Sequence, residues 1–481
     1  MIRFIFVISL IDLVLGGAGL YGETFDVVLG VLLPYTGSWP IGPKIASAAA
    51  IAVDDIQKDK SLLQNRSIGF IWNDTHCDAG DGLYEVVDFW SHESVLHLHG
   101  FIGGGCDSVC EPTGLLSAAW NLPMISWGCT STSLSNKLEY PTFVRTVGPY
   151  YKAAPMIVEI FHRFDWSRAA ILCSSEHVWQ LTSSEVRNHL EDAGVFISQY
   201  VSFDPGTESS VIGEDDPHFI SLKKTIDEAR IILIFAYGGD VRDIMLYAFD
   251  LGMIDGDYIF FTVDLFDYAY VGNNTWMGDD GRDDDALLAF GSIFNIHILE
   301  PSTQEYKNFT TEVRRRMGTA PFYDPLDAKF KVDVHAAMLY DAMYLYAVAL
   351  HEVLEAGEDE YSGKMIVSKL LNRTFYGISG RFFIDEHGDR ILDFALQDIE
   401  GMDAHDIAEY YSETKRFIFK EGVVVTWPDG STTPPKDHPD CGWDNEFCQS
   451  ATSVVTIIGV SVTVVVILIT IAFTLVGYVW R

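Results

Sequence analysis

Gly103-Gly104-Gly105 follows an apolar run and leads into Ser108-Val109-Cys110-Glu111, an arrangement that could present backbone amides to a small anion. Ser108 and Glu111 have capping-box spacing, with Pro112 near the first turn of the helix they would open. A tight strand-to-helix turn that needs glycine explains the same residues equally well. The turn lacks G-x-G-x-x-G spacing and has no basic neighbour, which argues against a nucleotide cradle. No G-x-S-x-G elbow, H-E-x-x-H pair or G-x-x-x-x-G-K-[ST] loop occurs. Of the 14 histidines, His92, His97 and His99 cluster without metal-motif spacing, so core or surface roles fit them better. The residues therefore predict no catalytic group, no metal and no cofactor beyond a small anion.

Seven cysteines remain: Cys77, Cys106, Cys110, Cys129, Cys173, Cys441 and Cys448. The chain ends say how to read them. Arg3, the apolar Phe4–Leu15 and the small Gly16–Gly19 have the layout of a secretory leader, assigned to residues 1–22. Ser453–Trp480 holds no Asp, Glu, Lys or Arg and exceeds the roughly 20 residues a membrane span needs. Tyr478 and Trp480 would sit at one interface, with Arg481 just beyond. The expectation is a single-pass type I protein of the plasma membrane, its ectodomain outside and no cytoplasmic domain beyond 481. Cysteines in that compartment are read as disulfides first. Cys441 and Cys448 make a short local loop, the first four lie near successive strand ends, and Cys173 is the odd one out, inside a strand. Sequons at Asn65, Asn73, Asn273, Asn308 and Asn372 agree with export.

With 32 Lys+Arg against 68 Asp+Glu the net charge is −36, which excludes nucleic acid as a partner and favours basic ones. At 48 % hydrophobic and 13 % aromatic the chain is too apolar to be disordered. Short apolar strands alternate with amphipathic helices: Val27–Leu33, Ile68–Trp72, Gly100–Gly103 and Met124–Trp127, then Ala169–Cys173, Val195–Val201, Ile231–Phe235 and Tyr258–Val263. That pattern predicts βαβ units in mainly parallel sheets, with a first crossing between two α/β lobes near Arg145–Pro149. Val334–Glu355 is expected to return to the first lobe. Phe382–Asp385 and Ile391–Leu396 read as a hairpin. The domains follow as a leader at 1–22, a bilobal unit at 23–430, a juxtamembrane segment at 431–452 and a span at 453–480.

Several motifs carry a resemblance. Gly103-Gly104-Gly105-Cys106, Leu122-Pro123-Met124-Ile125-Ser126-Trp127-Gly128-Cys129 and Tyr140-Pro141-Thr142-Phe143-Val144-Arg145-Thr146-Val147 resemble the ectodomain of receptor guanylyl cyclases. Asp165-Trp166-Ser167-Arg168-Ala169-Ala170, Gly256-Asp257-Tyr258-Ile259-Phe260-Phe261, Ala349-Leu350-His351-Glu352-Val353-Leu354 and Asn372-Arg373-Thr374-Phe375-Tyr376-Gly377 are similar to natriuretic peptide receptors in particular. Gly388-Asp389-Arg390 and Cys441-Gly442-Trp443-Asp444-Asn445-Glu446 complete the series. The resemblance implies a type I periplasmic-binding-protein-like fold that binds an extracellular peptide hormone, usually as a homodimer. It also implies Cys77–Cys106 and Cys441–Cys448 bridges. Cys110 and Cys129 match an extra pair of invertebrate-like cyclase receptors. A family chloride site falls on Gly105 and Cys106, with Thr75 or Asn73 standing where the family has serine. The hormone-contacting segment falls on Phe260–Phe266, giving Thr262, Asp264 and Phe266 as ligand contacts, with Asp264 able to pair with a peptide arginine. Family aromatics after the first glycine-cysteine are replaced by Asp107 and Ser108, so a close natriuretic peptide is not the expected ligand.

The reading is thus a peptide-hormone receptor without the kinase-like and cyclase domains that related cyclases carry, and not itself an enzyme. Two alternatives stand beside it. One is the extracellular fragment of a receptor guanylyl cyclase. The other is a membrane-tethered binder of a small molecule gripped between the lobes, near Ser126 and Gly128.

Overall fold

The computed structural model describes residues 19–21, 26–92, 98–205, 213–263, 276–278, 280–326, 331–400, 403–448 and 451–479. Strands that are apolar on both faces build the core, because a parallel sheet covered by helices leaves neither face in water. In the first lobe these are β1 (Gly19–Tyr21), β2 (Val27–Leu33), β3 (Ile68–Asp74), β4 (Leu98–Ile102), β5 (Met124–Ser126) and β6 (Phe143–Arg145). They form one sheet in the order β1-β3-β2-β4-β5-β6, parallel from β2 to β6, with β1 antiparallel on β3. Helices α1 (Ser47–Lys58), α2 (Ala79–Ser91) and α3 (Asp107–Trp120) cover it. The expected leader boundary at residue 22 falls beyond β1, which the fold uses as an edge strand.

Past Arg145 the chain enters the second lobe through α4 (Ala154–Phe164), β7 (Arg168–Ser174), α5 (His177–Asp192), β8 (Phe196–Phe203), α6 (Pro217–Lys223) and β9 (Ile231–Phe235). It continues with α7 (Gly238–Asp250), β10 (Ile259–Val263), α8 (Asp283–Phe290) and β11 (Ile293–Ile298). Helices α9 (Gln304–Met317) and α10 (His335–Ala356) then return to the first lobe and pack on α1, as the sequence predicts. A three-stranded sheet follows from β12 (Arg373–Gly377), β13 (Gly380–Ile384) and β14 (Arg390–Ile391). Last come β15 (Phe394–Glu400), β16 (Asp403–Tyr411) and β17 (Arg416–Phe419), completing an eight-stranded sheet in the order β17-β16-β15-β11-β10-β9-β7-β8. The architecture is type I periplasmic-binding-protein-like: two α/β lobes joined by three crossings.

The expected hairpin is half right. Ile384 pairs with Arg390 and Phe383 with Ile391, but the second arm stops there. Phe394–Glu400 instead lies antiparallel to β11 in the second lobe. Asp393 marks the break, its carboxylate accepting from the Ser412 amide at 2.8 Å and so turning the chain into the larger sheet.

The crossings are fastened by buried ions. Arg145 is wholly buried and spends its donors on Asp389 Oδ1 (2.7 Å), the Cys129 and Ser131 carbonyls (2.9 Å each) and Ser135 Oγ (2.9 Å). Asp389 also accepts from Ser135 Oγ at 2.7 Å, and the Arg145 amide donates to the Gly388 carbonyl at 2.9 Å. Burial opposes the Asp389 charge, yet Arg145 and Ser135 outweigh it and hold the carboxyl below its ordinary range. Beside it, burial pushes Asp341 up to about 6 despite the nearby Arg390 guanidinium and the Ser379 hydroxyl.

The segment after β17 straps onto the second lobe. Trp427 is buried among Phe164, Trp166 and Phe294. Trp166 Nε1 donates to the Pro435 carbonyl at 2.8 Å, and Ser167 donates its amide and hydroxyl to Asp437 Oδ2 at 2.6 and 3.1 Å. The Arg168 guanidinium lies over Trp443 at 4.8 Å. Gly256, at φ +99°, lets Asp429 approach so closely that a Cβ would lie 2.6 Å from the Asp429 side chain. Ala451–Val479 (α11) follows, and its Ile458–Leu475 stretch has a mean hydropathy of 2.7 with none of it buried, long and apolar enough to cross a membrane.

Removing one partner of a buried pair leaves the other charged and unpaired, which costs about 3–5 kcal/mol. Asp389→Ala should lose that much in chemical denaturation. Arg187→Ala breaks an exposed helical pair with Glu191 and should change stability by less than about 0.5 kcal/mol. Equal effects would refute the assignment.

Candidate functional site

In open α/β sheets, ligands gather at the carboxyl ends of the strands. In the first lobe β4 ends there and turns through Gly103–Cys106 into α3. Gly103 sits at φ +111°, a left-handed conformation where a Cβ would meet the Leu32 carbonyl oxygen at 2.4 Å. Gly105 is needed for close approach, since a Cβ there would lie 2.6 Å from the Trp127 ring and 3.0 Å from Trp39. The capping box of Ser108 and Glu111 does not form, because α3 begins earlier, at Asp107. Ser108 Oγ donates to the Cys77 carbonyl at 2.9 Å, while Glu111 accepts from the Ser131 and Ser133 hydroxyls. Asp107 accepts the Thr130 and Ser131 amides at 2.7 Å each. Burial pushes its carboxyl up, against those amides and Arg145.

Two bridges lock this end of the lobe. Cys77–Cys106 ties the turn after β3 to the glycine turn, and Cys110–Cys129 ties α3 to the loop after β5. Cys441–Cys448 closes a short loop before the apolar carboxyl-terminal helix, and Cys173 is buried and outside any disulfide. Thr75 is buried, its amide donates to the Leu33 carbonyl at 2.9 Å, and its hydroxyl has no partner among the described residues. Asn73 donates to Glu85 at 2.6 Å. Ser126 is buried with its hydroxyl fully used, donating to the Gly104 carbonyl (2.9 Å) and accepting from the Gly128 and Cys129 amides. Gly128 packs its backbone on Gly105.

Sequence reasoning missed the next layer. Trp39 and Trp127 stack at 5.9 Å and both meet the ring of His335, at the start of α10. His335 donates Nδ1 and its amide to Asp333 Oδ1 at 2.6 and 2.8 Å. Burial opposes the Asp333 charge, but His335 prevails and the carboxyl is lowered. A His two residues after an Asp was the available signal, and it is far too common to single out.

In the second lobe Thr262 lies on β10, buried, with its hydroxyl donating to Asn295 Oδ1 of β11 at 3.1 Å. Asp264 and Phe266 lie outside the described residues. Tyr237, before α7, is pushed far up by burial and by the carboxylates Asp107 of the first lobe and Glu176 of the second. His218 is clamped between Asp216 and Asp240, each at 2.9 Å. Among the described residues no cluster of three His, Cys, Asp or Glu is placed to hold a metal. Asn65, Asn308 and Asn372 are exposed, and Asn273 lies outside the described residues.

Comparison with known proteins bears on this geometry. Residues 44–402 match the family described as the receptor family ligand binding region. The chain belongs to that family. Atrial natriuretic peptide receptor 3 of Rattus norvegicus is 31% identical over 363 residues, covering 74% of this chain and 65% of that receptor. The Homo sapiens receptor of the same name gives the same identity and coverage. The speract receptor of Strongylocentrotus purpuratus is 26% identical over 463 residues, 85% of this chain and 40% of that receptor. The chain therefore spans about two thirds or less of the length of these relatives. The match to this ligand-binding region agrees with the family that the sequence motifs resemble.

In the receptor domain, burial disfavours a charged His218, yet hydrogen bonds and charge from Asp240 and Asp216 outweigh it and raise its pKa. A raised His contributes stability that is complete below its unfolded value of about 6.5 and is lost as pH rises through the folded pKa. The gap in melting temperature between the parent and His218→Gln should therefore shrink from pH 6 to pH 9. A constant gap would show that His218 serves only as packing.

Proposed function

We propose that this chain is the ligand-binding part of a single-span type I receptor at the cell surface, taking an extracellular peptide. The observation that carries the reading is the ordered match of most of the chain to receptors named for natriuretic peptides, followed by an apolar helix. The −36 charge supports a cationic peptide, whose capture would speed up at low salt. Asp264 is the contact proposed for a basic side chain, because it follows the carboxyl end of β10. A chloride held by Thr75 and the backbone at Gly105 and Cys106 belongs to the same reading, supported by the buried Thr75 hydroxyl, which has no partner among the described residues. Asn65, Asn308 and Asn372 are the proposed glycan acceptors, since each is exposed.

A homodimer is also proposed, through α2 and α3. Tyr84, Val87 and Leu115 are exposed there at 66%, 48% and 48%, beside the stacked pair Trp90 and Trp120. Neither helix carries a Lys or Arg, so a second copy would bury this apolar face without stranding a cation. The match to a ligand-binding region supports a non-catalytic role, so expression of residues 1–481 is expected to produce no cGMP.

Asp264→Asn should weaken binding of basic peptides by about tenfold, ~1.4 kcal/mol, with melting unchanged. Binding equal to the parent's would remove Asp264 from the site. Leu115→Glu should shift sedimentation toward monomer. An unchanged dimer would place the interface elsewhere.

A further inference from the structure

We propose that the chain is cut between Ala18 and Gly19, so that the mature protein begins with β1. The inference rests on the export reading given above and names the bond at which export is completed. The fold supplies the first observation. Gly19, Leu20 and Tyr21 pair with Trp72, Ile71 and Phe70 and form the short outermost strand of the first lobe's sheet. A very short edge strand blunts an edge on which a longer strand such as β3 would template unwanted pairing, so β1 does a structural task that the mature chain has to retain.

Tyr21 anchors the strand. Its ring stacks on Phe70 at 5.4 Å, and its hydroxyl donates to Asp54 Oδ1 on α1 at 2.9 Å. Arg316 of α9 donates to the same hydroxyl at 3.2 Å and to Asp54 Oδ2 at 2.6 Å. Three elements distant in sequence therefore converge on one residue of the expected leader.

The peptidase chemistry supplies the second observation. Leader removal needs small side chains one and three residues before the cut. Ala18 and Gly16 meet that requirement for the Ala18–Gly19 bond. A cut after Gly22 would place Leu20 at the restrictive position and would discard β1 with its anchor. In the step itself water adds to the Ala18 carbonyl and the carbon–nitrogen bond to Gly19 breaks. Ala18 keeps a carboxylate on the leader, and Gly19 leaves with a new, protonated amino group.

Expression of the full chain in secretory cells, followed by N-terminal sequencing of the membrane-bound product, tests this. A start at Gly19-Leu20-Tyr21 is expected. A start at Leu20, at Glu23 or later overturns the site while leaving export standing. A start at Met1 overturns the export reading and the site with it. Tyr21→Ala in the same cells should lower the melting temperature of the product by about 2–4 °C. Unchanged melting would overturn β1 as the reason the cut lies before Gly19.

Discussion

The fully buried Arg145–Asp389 pair is the constraint on which the rest of this receptor domain depends. Arg145 ends the last strand of the first lobe, and Asp389 lies in the turn before the last return to the second. A guanidinium taken out of water is tolerable only when nearly all its donors are met. Here they are met by the Asp389 carboxylate and by two carbonyls and a hydroxyl of the stretch from Cys129 to Ser135, two segments far apart in the chain. Those segments cannot drift without stranding a charge, so the pair fixes where the lobes are joined. The neighbouring Lys152–Asp385 bridge at 2.8 Å and the Arg390–Asp341 contact at 3.8 Å extend the same clamp.

From that clamp outward, rigidity is distributed unevenly. The first lobe's carboxyl-end loops are locked by two disulfides and by the glycine turn packed against Trp127 and Trp39. Little freedom remains there, and Ser126 has no spare hydrogen bond to offer a small ligand. The stacked Trp39 and Trp127 fill the same wall.

The second lobe carries the link to the apolar helix α11. Trp427, Asp437 and Trp443 bind the strap before α11 to the amino-terminal end of β7, through Trp166, Ser167 and Arg168. Aromatic contacts and a buried carboxylate make that segment part of the lobe.

Much of this was legible in the chain itself. Strand and helix positions followed from hydrophobic period, since the central strands are apolar on both faces and the helices on one. The apolar helix at the carboxyl end followed from local composition, and the three disulfides from motif resemblance matched by the geometry. Arg145 and Asp389 were each visible inside quoted motifs, but their pairing across 244 residues was not, because nothing local marks which charge a buried arginine will meet. The second arm of the hairpin misled for a similar reason. Phe394–Glu400 has strand character whichever sheet receives it, and only β11's open edge decided the matter. Local pattern sets what each segment becomes; the pairing of distant charges and sheet edges is settled only when the whole core closes around them.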